Sequence, residues 1–297
     1  VVLFATVDIS KSLALIDANF VPILLAGCCL VALALVLNAL RWLLIIRACG
    51  ERLPFSTVTG LVFVGHFFSQ LLPTSVGGDV VRGWEAHRAG MSTDNAAISV
   101  VLDRIVGLLG LLLLIAIGQP ILALRSEDSI FAVVAISVIG LGICAVIAML
   151  MLDRLPLPFE RYRLLRAVRS LSSTGRQLLK TPWVSLSGLV ISVAAQCATM
   201  MMATIYARGL GLDVGFVDMA LVVPTVMLVA ALPLSIGGWG VREAGLAAGF
   251  AVLGQPTEIA VTVSILAGLT SLALAIPGAI IWASLKRRRD EAGAPVE

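Results

Sequence analysis

Two arginines stand where arginine is costly. Arg82 and Arg242 each lie in an apolar region, at the end of a stretch that occurs twice. The first copy is Leu72-Pro73-Thr74-Ser75-Val76-Gly77-Gly78-Asp79-Val80-Val81-Arg82. The second is Leu232-Pro233-Leu234-Ser235-Ile236-Gly237-Gly238-Trp239-Gly240-Val241-Arg242. Leu, Pro, Ser, both Gly, Val and Arg recur in register at a constant offset of 160, as from Gly77 to Gly237. Leu61-Val62 recur as Leu221-Val222 at the same offset. A guanidinium is suited to bidentate contact with phosphate or carboxylate. The pairs Gly77-Gly78 and Gly237-Gly238 let the backbone turn and let a ligand approach the peptide groups. Half-helices starting near Gly78 and Gly238 would present free N–H groups and a positive dipole end, which outlines an anion site. Ser75 and Ser235 share the same register and belong to the candidate site.

Acidic groups accompany the arginines. Asp79 is either a first-turn carboxylate, a partner for an arginine, or a cation or proton binder. Its counterpart is Trp239, so the site is not chemically symmetric. Glu243 follows Arg242 and divides the same way. Asp103 and Arg104 are adjacent, point in different directions on a helix, and put at least one charge toward the interior. The arginines have a plainer reading as well: local pairing with Glu85, Asp79 or Glu243, or snorkelling to the interface. His66 reads as a hydrogen-bonded core histidine before a proton relay. Asn38, Ser69, Gln70 and Gln196 read as interhelical hydrogen-bond partners, and Trp42, Trp183 and Trp282 as interfacial anchors.

The elements that must hold these residues are membrane helices. The chain has 297 residues, 59% hydrophobic and only 13% charged, with a mean hydropathy of +1.04. A soluble domain carries about 25% charged residues. The apolar runs are long and unbroken rather than short and alternating. The expected fold is all-α: a polytopic integral membrane protein, one transmembrane domain over 1–297, with an inverted-topology repeat and two re-entrant helical hairpins. Repeat 1 covers about 20–124, with a hairpin at 55–90. Repeat 2 covers about 182–285, with a hairpin at 216–253. Each half of a hairpin is too short to cross ~30 Å of hydrocarbon at 1.5 Å per residue. Residues 129–152 supply a further span. Residues 153–181 alternate basic and apolar residues at helical spacing and read either as an amphipathic helix on an anionic leaflet or as an ordinary positive loop. The opening seven residues are too short to span and are expected to be the remainder of an earlier span or of a cleaved signal.

Most of the 21 Lys and Arg fall after the first span, in 153–181, and at the C-terminal Lys286-Arg287-Arg288-Arg289. The positive-inside rule makes these regions cytoplasmic, the C-terminus included, in a plasma membrane. Three crossings separate the two copies. An odd number makes the hairpins enter from opposite faces and points to a site near the midplane.

Several chemistries find no support. Five cysteines fit no metal spacing, and two histidines make zinc and acid–base hydrolysis poor readings. There is no nucleophile–base pair, phosphate-binding loop or dinucleotide fingerprint. No cofactor, metal or nucleic-acid partner is expected.

The first copy, with Leu102-Asp103-Arg104-Ile105-Val106-Gly107 after it, and the second copy, with Glu243 after it, resemble the lysylphosphatidylglycerol synthase transmembrane-region family, also described as a flippase-like domain. The resemblance covers nearly all the chain. It implies a polytopic domain that moves a modified lipid between leaflets. It marks Pro73, Gly77, Gly78, Asp79, Arg82, Asp103, Arg104, Pro233, Gly237, Gly238, Arg242 and Glu243. The sequence carries no aminoacyltransferase domain, so a free-standing member that does not itself make the lipid is expected. The expected function is transport of an anionic phospho-, polyprenyl- or glycolipid between leaflets, in company with a separate lipid-synthesising enzyme. The alternatives are a transporter of a small soluble anion, a membrane-embedded enzyme of lipid-phosphate metabolism using Asp79, Asp103 and Glu243, and a scaffold that recruits a cytosolic synthase through 153–181.

Overall fold

The computed structural model describes residues 20–72, 75–125, 171–176, 181–231 and 240–291, with a few single positions between 137 and 151. The span expected at 129–152 and most of the basic stretch 153–181 lie outside the described residues. Residues 171–176 are helical.

The described residues form helices and no strand. They are α1 (Val21–Ala48), α2 (Phe55–Leu71), α3 (Ser75–Arg88), α4 (Thr93–Arg125), α5 (Pro182–Gly209), α6 (Phe216–Ala230), α7 (Val241–Val252) and α8 (Thr257–Glu291). α1, α4, α5 and α8 are long and apolar enough to cross a membrane; α2 and α6 are apolar but shorter. The chain is a membrane-embedded, multi-pass protein.

Among these helices the order long–short–short–long occurs twice. α1 and α5 have 28 residues each, α2 and α6 have 17 and 15, α3 and α7 have 14 and 12, and α4 and α8 have 33 and 35. Local chemistry repeats too. α1 and α5 both carry proline in the first turn, where its fixed φ suits a helix start. Both stop at a glycine of positive φ, Gly50 and Gly211. There the next residue's N–H returns to a carbonyl of the last turn, Glu51 to Ile46 and Leu212 to Ala207, which satisfies carbonyls the helix leaves open.

Close approaches set the packing. Gly65 faces the Arg82 side chain, and Gly78 faces Ser69 and the Gly65 carbonyl. The pairs Gly65–Arg82 and Ser69–Gly78 are symmetric about residues 73–74, so α2 and α3 run antiparallel as a hairpin. Gly245 against Val226 and Gly249 against Val222 do the same for α6 and α7. α1 and α5 are also antiparallel: Gly27 meets Tyr206, Ala34 packs with Ala195 and Ala198, and Arg41 reaches Ser192. Small residues at such contacts are how helices approach closely in a bilayer, where lipid competes equally for apolar surface.

Two large clusters of buried apolar residues fill the bundle. Leu35, Trp42, Val58, Leu61, Ala86 and Val100 join α1 to α4. Met202, Tyr206, Met219, Val222, Phe250 and Val263 join α5 to α8. The halves then lock crosswise. Gly278 of α8 lies against the Phe63 carbonyl of α2, and Gly118 of α4 lies against the Ala220 carbonyl of α6. Thus α2 packs on α8, and α6 packs on α4.

The Gly77-Gly78 pair differs from its sequence reading. α3 starts at Ser75, so both glycines are already helical, and neither has positive φ. Their missing side chains serve close contact, against Leu72 for Gly77 and Ser69 for Gly78, rather than a sharp turn. α7 starts at Val241, after Gly240, which has φ +88°.

Candidate functional site

One ion network ties α1, α3 and α4 together. Asp103 of α4 is 2% exposed. It accepts from Arg41 Nε of α1 at 2.7 Å and from Arg82 of α3 at 2.9 Å. Asp79, one turn before Arg82, accepts from the same guanidinium at 2.9 Å and from Arg104 Nε. Arg41 also donates to Ser192 Oγ of α5 at 3.1 Å. The Trp42 ring lies 4.7 Å from the Arg82 guanidinium carbon, a cation–π distance, and its indole N–H donates to Ser99. Among the described residues, three guanidinium groups share two carboxylates. Four of the five charges come from α3 and α4. The fifth, Arg41, comes from α1.

Such a network forms only because the partners are mutual. An isolated buried charge costs several kcal/mol even after relaxation, and pairing with good hydrogen bonds offsets that cost. Asp103 reaches both partners from two oxygens, which is why one carboxylate suffices for two arginines here.

The network walls a cavity of about 260 Å³. Arg41, Arg82 and Arg104 line it, together with Asn38, His66 and Gln196. His66 Nε2 lies 3.0 Å from the Ser271 carbonyl of α8, so this histidine is a bonded wall residue that bridges the halves. Ala231, the last described residue before the second copy, also lines the cavity. The end of α6 therefore borders the first repeat's charges.

A larger groove of about 440 Å³ runs between α3 and α4. Its walls are mainly apolar, among them Val76, Val80, Trp84 and Val101. Asp79 and Arg104 belong to both spaces.

A separate cluster joins α7 to α8. Glu243 is 1% exposed. It accepts from Ser264 Oγ at 2.8 Å, from Arg242 at 3.0 Å, and from the Gly240 N–H that opens α7. Arg242 Nε donates to Ser264 Oγ at 2.9 Å. The structure thus brings Asp79, Arg82, Asp103 and Arg104 together, and places Arg242 with Glu243 and Ser264. Pro73, Pro233, Ser235, Gly237 and Gly238 lie outside the described residues, as does the side chain of Ser75.

Sequence reading misses Arg41. By position it counts among the charges that follow the first span, yet it is 7% exposed and central. Its signal is its place within the apolar run Ala39-Leu40-Arg41-Trp42-Leu43-Leu44, which holds no other charge. Trp42 is likewise no interfacial anchor. It is fully buried, because Arg82 and Ser99 hold it inside. Trp183, by contrast, is 78% exposed at the start of α5. Ser69 donates to the Gly65 carbonyl within its own helix rather than across helices. Glu85 is claimed by Arg289 of α8 at 2.6 Å, not by Arg82.

Long apolar helices and two short helical hairpins, with a cavity lined by three arginines, make this a polytopic membrane domain. The chain belongs to the lysylphosphatidylglycerol synthase TM region family, whose model matches residues 1–278. No curated protein matches the chain.

Proposed function

We propose that the protein moves an anionic lipid between leaflets, holding its head group in the cavity between α1, α2, α3 and α4. The observation that carries this reading is the convergence of Arg41, Arg82 and Arg104 on one cavity in a membrane-embedded bundle. A phosphate crossing hydrocarbon alone would lose its water at great cost. Guanidinium groups already held in place by Asp79 and Asp103 substitute for that water. Arg104 is 34% exposed on its side chain and is the group best placed to exchange a carboxylate for a ligand oxygen.

The repeated element order and the antiparallel run of α1 and α5 support an inverted-topology repeat, with α2–α3 and α6–α7 as re-entrant hairpins entering from opposite faces. The cytoplasmic placement of the C-terminus rests on the distribution of Lys and Arg. Crosswise docking of each hairpin on the other repeat supports rocking of the halves as the step that turns the cavity from one leaflet to the other. Arg242, Glu243 and Ser264 would serve the second repeat's side of that cycle. Recruitment of a separate lipid-synthesising enzyme, and seating of 153–181 on an anionic leaflet, complete the proposed setting.

The test is leaflet exposure of fluorescent phosphatidylglycerol in proteoliposomes. Arg82→Ala, Arg104→Ala and Arg242→Ala should each reduce the rate strongly while the protein still reconstitutes. Unchanged rates in all three variants would overturn the mechanism. Uptake of labelled inorganic phosphate by the same vesicles, without lipid movement, would replace it with transport of a soluble anion.

A further inference from the structure

We infer that the groove between α3 and α4 is the seat of the lipid's hydrocarbon chain, and that the Asp79–Arg104 ion pair is the boundary between chain and head group. This rests on the lipid reading of the cavity and specifies how one molecule occupies both spaces.

The groove is built from one stripe of each helix. Val76, Val80 and Trp84 recur at helical spacing on α3, and Ala97 and Val101 do so on α4. The large apolar side chains among them are exposed: Val80 is 65% exposed and Trp84 48%. From Thr93 to Arg104 the groove runs about 16 Å at 1.5 Å per residue. That is close to the half-thickness, about 15 Å, of the hydrocarbon core.

What fixes the occupant is continuity with charge. Toward the end of the groove away from the α3–α4 turn lie Asp79 and Arg104, the two residues that also wall the arginine cavity. A soluble anion would use the cavity and leave the groove idle. A neutral hydrocarbon would use the groove and leave the guanidinium groups idle. An amphiphile with one anionic head and at least one long chain uses both, and its head group meets Arg104 where the two spaces join. The chain then stays in an apolar trough within the depth of one leaflet while the head group occupies the polar cavity.

The test uses phosphatidylglycerol carrying a diazirine in its acyl chain, reconstituted with the full chain, irradiated and mapped by peptide analysis. Label is expected on 76–101. Ala97→Phe, a change at an exposed position that fills the groove, should cut this labelling several-fold and slow head-group movement. Ile280→Phe, on the exposed face of α8, should change neither. Label spread evenly over lipid-facing positions and indifferent to Ala97→Phe would overturn the groove assignment. The two readings fail separately. If Arg82→Ala stops transport but Ala97→Phe does nothing, the groove falls and lipid transport stands. If label follows the groove but no head group crosses in the wild type, transport falls and the binding site stands.

Discussion

Arg41 donates from Nε to Asp103 at 2.7 Å, and this one contact ties α1 to α4 across 62 residues of sequence. Arg82 takes the other oxygen of the same carboxylate. Asp103 is therefore the group on which two arginines from two other helices depend.

Removing that carboxylate should be severe. Asp103→Ala leaves Arg41 and Arg82 buried without their shared acceptor. Breaking a buried pair from one side costs about 3–5 kcal/mol. Thermal unfolding of the purified protein in detergent should show a large drop for Asp103→Ala and a smaller one for Asp103→Asn, which keeps the shape and one acceptor oxygen. Equal, small effects would show that the network contributes little to the fold.

Arg41→Lys tests geometry at constant charge. Arg41 serves Asp103 and Ser192 at once from a planar fork, and a lysine ammonium cannot reproduce both contacts in the same plane. Loss of one charge-assisted hydrogen bond is worth about 1.5–3 kcal/mol. If that geometry is needed during transport, the rate in the leaflet-exposure assay should fall about tenfold or more. A rate equal to wild type would remove Arg41 from the transport machinery and leave it a structural role.

Gly78 and Gly278 should not tolerate alanine. A Cβ on Gly78 would strike the Gly65 carbonyl and Ser69, and one on Gly278 would strike the Phe63 carbonyl. Two of these obstacles are backbone and cannot rotate away. Overpacking of this kind costs about 1–3 kcal/mol. Gly60→Ala is the control, since its Cβ would sit 3.6 Å from Ile281. Thermal unfolding should rank Gly78→Ala and Gly278→Ala well below Gly60→Ala.

Glu51 gives a pH signature outside the membrane helices. Its Oε1 accepts from the Asn95 side chain at 2.9 Å and from the Ser92 N–H at 3.1 Å, at the start of α4. The Asn95 bond, then the Ser92 bond, hold its carboxyl below the usual 4.5. The folded state thus favours the charged form. Its contribution is fully present above the unfolded value and is lost as pH falls through the lower folded value. The carboxylate is only partly buried, so the effect is small. Glu51→Gln should lower the melting temperature slightly at pH 7, and the difference should vanish once pH has fallen through the lowered folded value. A difference that persists unchanged into acid would mean the carboxylate's charge is not what matters.

Much of this molecule is readable in the sequence because composition and repetition are one-dimensional. The lack of charge requires helices in a bilayer, where each backbone group must find its partner within the segment. The Pro–Gly–Gly copies mark two breaks at a fixed offset, and the family resemblance rests on the same residues. Candidate charges are also legible, since any arginine in an apolar run demands a reason. What the sequence does not decide is pairing. Arg82 has an acidic residue three positions away on either side, Asp79 and Glu85. Folding chooses Asp79 and the more distant Asp103, and gives Glu85 to Arg289 from the last helix. Arg41 and Trp42 look peripheral in the sequence because distance along a helix says nothing about which face meets a neighbour. Only the crossing of α1 with α4 and α5 turns that face inward. The sharing of Asp79 and Arg104 between a polar cavity and an apolar groove belongs to the same class. It depends on how α3 lies against α4, where Arg82 meets Asp103 and Asp79 meets Arg104, and no periodicity in either helix alone specifies it.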